Sequence, residues 1–132
     1  MNKTFKILFV FSLIFSFSAC NSYKKTKYGY KIKGKNKIIF NGIDKSLKEN
    51  SSLSGFIYLK DDKVFPDYAK IIIGETILIT DKNGFFEVNV KPGVYDIIAK
   101  CLGHNDEIIK GFKLEKNNKV IILFELGTEA IY

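Results

Sequence analysis

Hydrophobic and polar positions alternate through most of the second half of the chain. Phe86, Val88 and Val90 alternate with Glu87, Asn89 and Lys91. Tyr95, Ile97, Ala99 and Cys101 share one side of the next run, with Asp96 and Lys100 on the other. Val120, Ile122, Phe124 and Leu126 belong to the run that closes the domain. A period of two is that of a half-buried strand. Earlier runs are shorter and mostly β-branched or aromatic: residues 54–59, 69–73 and 76–80, a composition that suits a pleated surface. Ile108-Ile109 and Phe112-Lys113-Leu114 read as two further short strands. No apolar run repeats at helical spacing, so residues 52–128 are predicted to be all-β.

The punctuation between these runs supports that reading. Lys60-Asp61-Asp62-Lys63, Gly74-Glu75, Asp81-Lys82-Asn83-Gly84, Pro92-Gly93 and Asn117-Asn118 are turn sequences. Phe65-Pro66-Asp67 reads as a turn or an edge element, because proline cannot donate to a ladder. At Asp81 a carboxylate is available to accept backbone N–H groups of the turn, and Gly84 is free to take positive φ. Phe86 and Tyr95 lie on either side of the Pro92-Gly93 turn and are expected to fill the space between sheets, as large aromatic rings dominate small cores. Strands separated by turns at intervals of about 8–12 residues suggest a sandwich or barrel.

The first fifty residues follow a different pattern. Lys3 and Lys6 precede an apolar run, Ile7 to Phe17, and Ser18-Ala19 then stand directly before Cys20. The run is short for a hydrocarbon core of about 30 Å. Phe17-Ser18-Ala19-Cys20 resembles the end of a bacterial lipoprotein signal peptide. That resemblance implies removal of residues 1–19, lipid on Cys20, and anchoring of the mature chain in a bilayer. An ordinary secretory signal cleaved after Ala19, or a membrane anchor, would use the same residues. Lipidation is favoured because the cysteine stands where it is required. With Cys20 acylated, Cys101 is the one cysteine left over, so no internal disulfide is expected.

Charge divides the chain in the same place. The formal net charge is +7, and residues 21–50 alone hold nine lysines against Asp44 and Glu49. Residues 51–132 are slightly acidic, with ten lysines against twelve carboxylates. Residues 20–51 are therefore read as an extended, self-repelling tether. It either touches anionic head groups or a cell-wall polymer, each lysine contributing about 1 kcal/mol near such a surface, or acts as a solvated spacer. Ile38-Ile39-Phe40 before Asn41-Gly42 allows a short strand and turn, and residues 44–50 allow one or two helical turns. The chain has no arginine, the usual bidentate reader of phosphate and guanine edges, so nucleic acid is not expected as a partner.

Five features together resemble the carboxypeptidase regulatory-like family of transthyretin-type domains. They are Gly55, the run Ala69 to Gly74, Thr80-Asp81-Lys82-Asn83-Gly84-Phe85-Phe86, Pro92-Gly93-Val94-Tyr95 and Leu102-Gly103-His104. The resemblance covers about 75 residues. It implies a Greek-key β-sandwich of about seven strands over residues 52–128, in which Asp81, Gly84, Phe86, Gly93 and Tyr95 are architectural. It says little about function, because the module serves many hosts. The urate-pathway hydrolase of this fold relies on several His and Arg residues, whereas this chain has one His and no Arg. The glutamate needed for an internal Lys–Asn crosslink is missing from the strand after Tyr95, which offers Ala99 and Lys100.

Candidate chemistry is sparse. Cys101-Leu102-Gly103-His104 has CxxH spacing, but a zinc site normally takes four ligands and no other Cys or His follows Cys20. A calcium site at Asp81 and Asn83 needs 6–8 oxygens, with only Asp61, Asp62 and Asp67 to help. Neither is adopted, and no metal, cofactor or catalytic residue is expected. The expectation is a non-catalytic binding or structural module on the envelope, contacting a protein or polysaccharide. The alternative is an accessory or degenerate subunit of an envelope enzyme. Asn21-Ser22-Tyr23-Lys24-Lys25 lacks the acidic run of some surface-exposed lipoproteins, which favours the periplasmic face of the outer membrane.

Overall fold

The computed structural model describes residues 24–26 and 29–131. Residues 1–19, where a signal peptide is expected, and Cys20 lie outside them. Among the described residues there is no α-helix, and no helix is long and apolar enough to cross a membrane. The described residues are nearly all β, in three sheets.

The strands are β1 (Lys24–Thr26), β2 (Gly29–Ile32), β3 (Lys35–Ile43), β4 (Ser51–Leu59), β5 (Lys70–Ile73), β6 (Thr76–Ile79), β7 (Phe85–Val90), β8 (Gly93–Lys100), β9 (Glu107–Leu114), β10 (Asn118–Leu126) and β11 (Thr128–Ile131). One four-stranded sheet has the order β3-β10-β4-β7 and another β6-β5-β8-β9. A small sheet runs β1-β2-β11. Every pairing is antiparallel except β4 with β10, which run parallel from Ser52↔Lys119 to Leu59↔Leu126.

The two four-stranded sheets contribute to one hydrophobic cluster. Leu53, Ile57 and Leu59 of β4, Phe86 of β7, and Val120, Ile122, Phe124 and Leu126 of β10 come from one. Ile71, Ile73, Ile97, Ala99 and Leu114 come from the other. Each fully buried Leu, Ile or Phe contributes about 1.5–3 kcal/mol. In β10, residues 120, 122, 124 and 126 are all buried, while the equally apolar Ile121 and Leu123 between them are not. Gly55 is required by close approach: a Cβ there would lie 1.9 Å from the Ile122 carbonyl oxygen.

Two expectations need correction. The sequence predicts an extended tether over residues 20–51, yet among its described residues β2 and β3 pair along their lengths with β11 and β10. Backbone ladders hold this stretch in place, and two of its lysines also meet acids on the partner strands. Lys35 lies 3.4 Å from Glu125 and Lys31 lies 3.9 Å from Glu129. The second correction concerns Tyr95, which is half-buried at the margin of the cluster and does not fill its centre. Between Tyr95 and Ile97 the register of β8 with β9 shifts: Tyr95 faces Phe112 while Ile97 faces Ile109. Lys110 and Gly111 thus oppose Asp96 alone. Gly111 takes φ +65° and donates its N–H to the Asp96 carboxylate at 2.9 Å. This bulge also joins into a single β9 the two short strands expected around residues 108–114.

Candidate functional site

The motif around Asp81 is architectural in its contacts. The Asp81 Oδ1 accepts from the backbone of Asn83 at 2.8 Å and of Phe85 at 3.1 Å. Gly84 has φ +71°, and its carbonyl accepts from Ile57 N at 2.9 Å, docking the turn on β4. A Cβ at Gly84 would lie 2.8 Å from the Ile57 oxygen, so both backbone and space demand glycine. Phe86 is 3% exposed and packs near Phe124. The Tyr95 hydroxyl donates to the Lys91 carbonyl across the Pro92 bend. Gly93 opens β8 opposite Leu114, and a Cβ there would meet only the Tyr95 ring at ordinary contact distance. Gly93 is thus the one motif glycine whose lack of a side chain neither φ nor crowding explains.

The sheet β3-β10-β4-β7 has a second apolar face, turned away from the cluster. Residues directly opposite on neighbouring strands share a face. Phe40, Ile121, Leu123, Phe56 and Phe85 are linked in this way: Phe40↔Ile121, Leu123↔Phe56, Phe56↔Phe85. Tyr58 extends the row along β4. The Phe65 ring folds over it, 5.9 Å from Phe56 and 5.0 Å from Tyr58, while Phe85 lies 5.2 Å from Phe56. None of these side chains is buried, and Phe40 and Phe65 are each 47% exposed. At the sheet edge the β3 ladder slips between Ile121 and Ile122, leaving Ile39 as an extra residue that is 53% exposed. Ile43, at the end of β3, walls a cleft of about 690 Å³ with Asn41, Lys113 and Lys116.

A polar cluster lies at the opposite end of β4. The Leu126 carbonyl accepts from Lys60 N at 3.1 Å, and the Gly127 carbonyl accepts from Asn105 N at 2.9 Å. These two neighbouring carbonyls hold the turn after β4 beside the loop between β8 and β9. His104 Nε2 thereby comes within 2.8 Å of Asp61 Oδ1 and 3.9 Å of Asp62 Oδ2. Its other nitrogen, Nδ1, lies 3.0 Å from the Leu102 carbonyl. The His104 side chain is 8% exposed, Asp61 22% and Asp62 62%. Burial pushes the Asp61 carboxyl up, but hydrogen bonds from His104 and from backbone amides outweigh it, leaving the group below its ordinary value. Cys101 is half-buried against the core, and burial, with the nearby Asp62 and Asp61 charges, raises its thiol despite a hydrogen bond with the Leu102 backbone.

The sequence paired these residues differently. It set His104 against Cys101, and Asp61 and Asp62 against Asp81 and Asn83. The structure instead joins His104 to Asp61 and Asp62, 43 positions apart for the closest pair. Their ligand atoms all lie within 4.8 Å of one another. The aromatic face did leave a trace in the sequence: Val120-Ile121-Ile122-Leu123-Phe124 is apolar without interruption, a signature of strands covered on both faces. No protein-family model matches the chain, and no curated protein matches it in sequence.

Proposed function

We propose that this chain is a lipid-anchored bacterial envelope protein whose β-domain is a non-catalytic binding module for a protein or polysaccharide partner. In this reading Cys20 carries the lipid, the domain is a Greek-key sandwich of the carboxypeptidase regulatory-like kind, and it works at the periplasmic face of the outer membrane. The sandwich is supported by the single cluster that two four-stranded sheets supply. The anchor is supported by Ser18-Ala19-Cys20 after the apolar run.

One observation carries the binding role: the uncovered face bearing Phe40, Phe56, Tyr58, Phe65, Phe85, Ile121 and Leu123. Contiguous exposed apolar surface costs solubility, and where it persists it marks an interaction site. Aromatic side chains dominate the buried centres of protein interfaces. The chemistry of this face, aliphatic and phenyl with a single phenol, favours a protein partner over a sugar polymer.

The test places a photo-crosslinking side chain at position 123 on this face, and at position 82 in the Asp81 turn as control, in intact envelopes. A discrete adduct at 123 and none at 82 is expected. Equal labelling at both positions removes the binding role. Separately, mass spectrometry of the mature N-terminus is expected to show a diacylated or triacylated Cys20; an unmodified Cys20 removes the anchor and leaves the binding result standing.

A further inference from the structure

Asp61, Asp62 and His104 bring two carboxylates and an imidazole together beside the end of β4. The Leu102 carbonyl can only accept, so Nδ1 of His104 carries a proton. Nε2, the ring's other nitrogen, donates to Asp61 when no ion is bound and offers a lone pair once a divalent ion displaces that proton. It points at two carboxylates, at 2.8 Å and 3.9 Å. Three possible ligand atoms, one from each residue, lie within 4.8 Å of one another, and the His104 side chain is more than nine-tenths buried. Among the described residues neither Asp61 nor Asp62 forms an ion pair with any lysine. Lys100, at the end of β8, is engaged with Asp106 at 2.9 Å, and Lys60 Nζ donates to the Lys33 carbonyl at 2.9 Å.

We propose that Asp61, Asp62 and His104 bind a divalent first-row transition ion, with Zn²⁺ as the representative. Imidazole with carboxylate oxygen is a donor set that suits such ions. The Nδ1–H to backbone carbonyl bond is the outer partner that fixes a ligating histidine's tautomer and aim. Two donors around a tetrahedral Zn²⁺ stand about 3.3 Å apart, given bonds of about 2.0–2.2 Å. Asp61 therefore moves out by about half an ångström and Asp62 in by about as much. Asp62 is 62% exposed and free to do so. Three protein ligands leave a fourth position for water. The ion would staple the turn after β4 to the β8–β9 loop, in a domain where Cys101 is a free thiol.

The test uses the full chain in detergent, without a polyhistidine tag and with Cys20→Ser and Cys101→Ser so that no thiol competes. Zn²⁺ titrated by calorimetry is expected to bind one ion per chain, with a dissociation constant below about 100 μM. His104→Gln is expected to abolish binding. Asp62→Asn, at an exposed position that leaves the Asp61–His104 contact intact, is expected to weaken it about tenfold or more. His104 is the sole histidine of the sequence, so its ring ¹⁵N signals report on one residue: Nε2 is expected to shift with Zn²⁺ while Nδ1 stays protonated. Absence of saturable binding overturns the proposal. So does binding that Asp62→Asn and His104→Gln both leave unchanged, or a ring spectrum with both nitrogens protonated and indifferent to Zn²⁺.

Discussion

The sheet β3-β10-β4-β7 has two apolar faces, and they have different fates. On one, Leu53, Ile57, Phe86, Ile122 and Phe124 are sealed against the second four-stranded sheet. On the other, Phe56, Tyr58, Phe85, Ile121 and Leu123 are only half-buried, covered by each other and by Phe65. The same strands and the same ladders support both. The difference lies in what lies opposite, so hydrophobicity along a strand tells which side chains seek cover but not whether the fold provides it. β3 makes the point at its own edge. Its positions continuing the inner face are Asn36, Ile38 and Asn41, across from Phe124, Ile122 and Val120. The two asparagines hydrogen bond to Glu107 and Asn118 instead of extending the core.

The sharpest way to break the comparison is to truncate one ring on each face. Phe124→Ala on the sealed face is expected to cost about 3–5 kcal/mol, and Phe86→Ala the same. Phe56→Ala on the open face is expected to cost about 1 kcal/mol, in the range of ordinary substitutions outside a core. Urea melts at matched conditions read both. Equal costs would mean that the outer face is covered in solution.

Glycine positions give the next largest contrast. Gly55→Ala drives a methyl into the Ile122 carbonyl and is expected to cost at least about 3 kcal/mol, at the upper end for overpacking. Gly42→Ala on β3 meets only the Phe40 ring, at 2.7 Å, and that ring is half exposed and free to swing away. Its expected cost is below about 0.5 kcal/mol. Thermal melts of the two variants suffice, and a severe Gly42→Ala would show that Phe40 is pinned.

Hydrogen exchange sharpens the contrast without mutation. β3 is held by its ladder and buries little, so its amides are expected to exchange through local opening, well before those joining β4 to β10. Uniform protection across the sheet would show that β3 opens only with the whole domain.

The smallest effect sits where β3 hands over to β4. Asp44 accepts from Ser46 Oγ at 2.6 Å and from Ser46 N at 3.0 Å, and these bonds hold its carboxyl below the ordinary value. A depressed folded-state value adds stability above the unfolded one, about 3.9, and loses it as pH falls through the folded one. Asp44→Asn is therefore expected to melt slightly below wild type at about pH 6 and to converge with it toward about pH 2.5. A gap that persists in acid would assign the difference to something other than ionisation.

Alternation made most of the strands after Ser51 legible, because a two-residue period needs only one covered face to show itself. The Asp81 turn was legible too, since short side-chain oxygens and a positive-φ glycine leave local marks. β3 was not. Lys35-Asn36-Lys37-Ile38-Ile39-Phe40 has no alternation, and Lys35 finds its counter-charge on a strand some ninety residues away. Phe65 looked like part of a turn, yet its ring roofs the outer face. His104 was read against Cys101, its neighbour in sequence. Its actual partners arrive because two adjacent carbonyls, at Leu126 and Gly127, each anchor a different turn, and nothing local encodes that.

The parallel pairing of β4 with β10 also sets an order of assembly. Ser52 meets Lys119, so this contact closes a loop spanning half of the chain, and loop closure of that length slows folding. The hairpins β5–β6 and β8–β9 close locally and are available first. β10, inserted between β3 and β4, is the keystone: without it neither neighbour has a partner on that side. A nascent chain ending at Lys116 is expected to stay protease-sensitive throughout residues 35–59, and one ending at Tyr132 to be resistant. Synthesis thus delivers the strand that locks the sheet after every other strand of the two four-stranded sheets, and β3 and β4 stay pliable until it arrives.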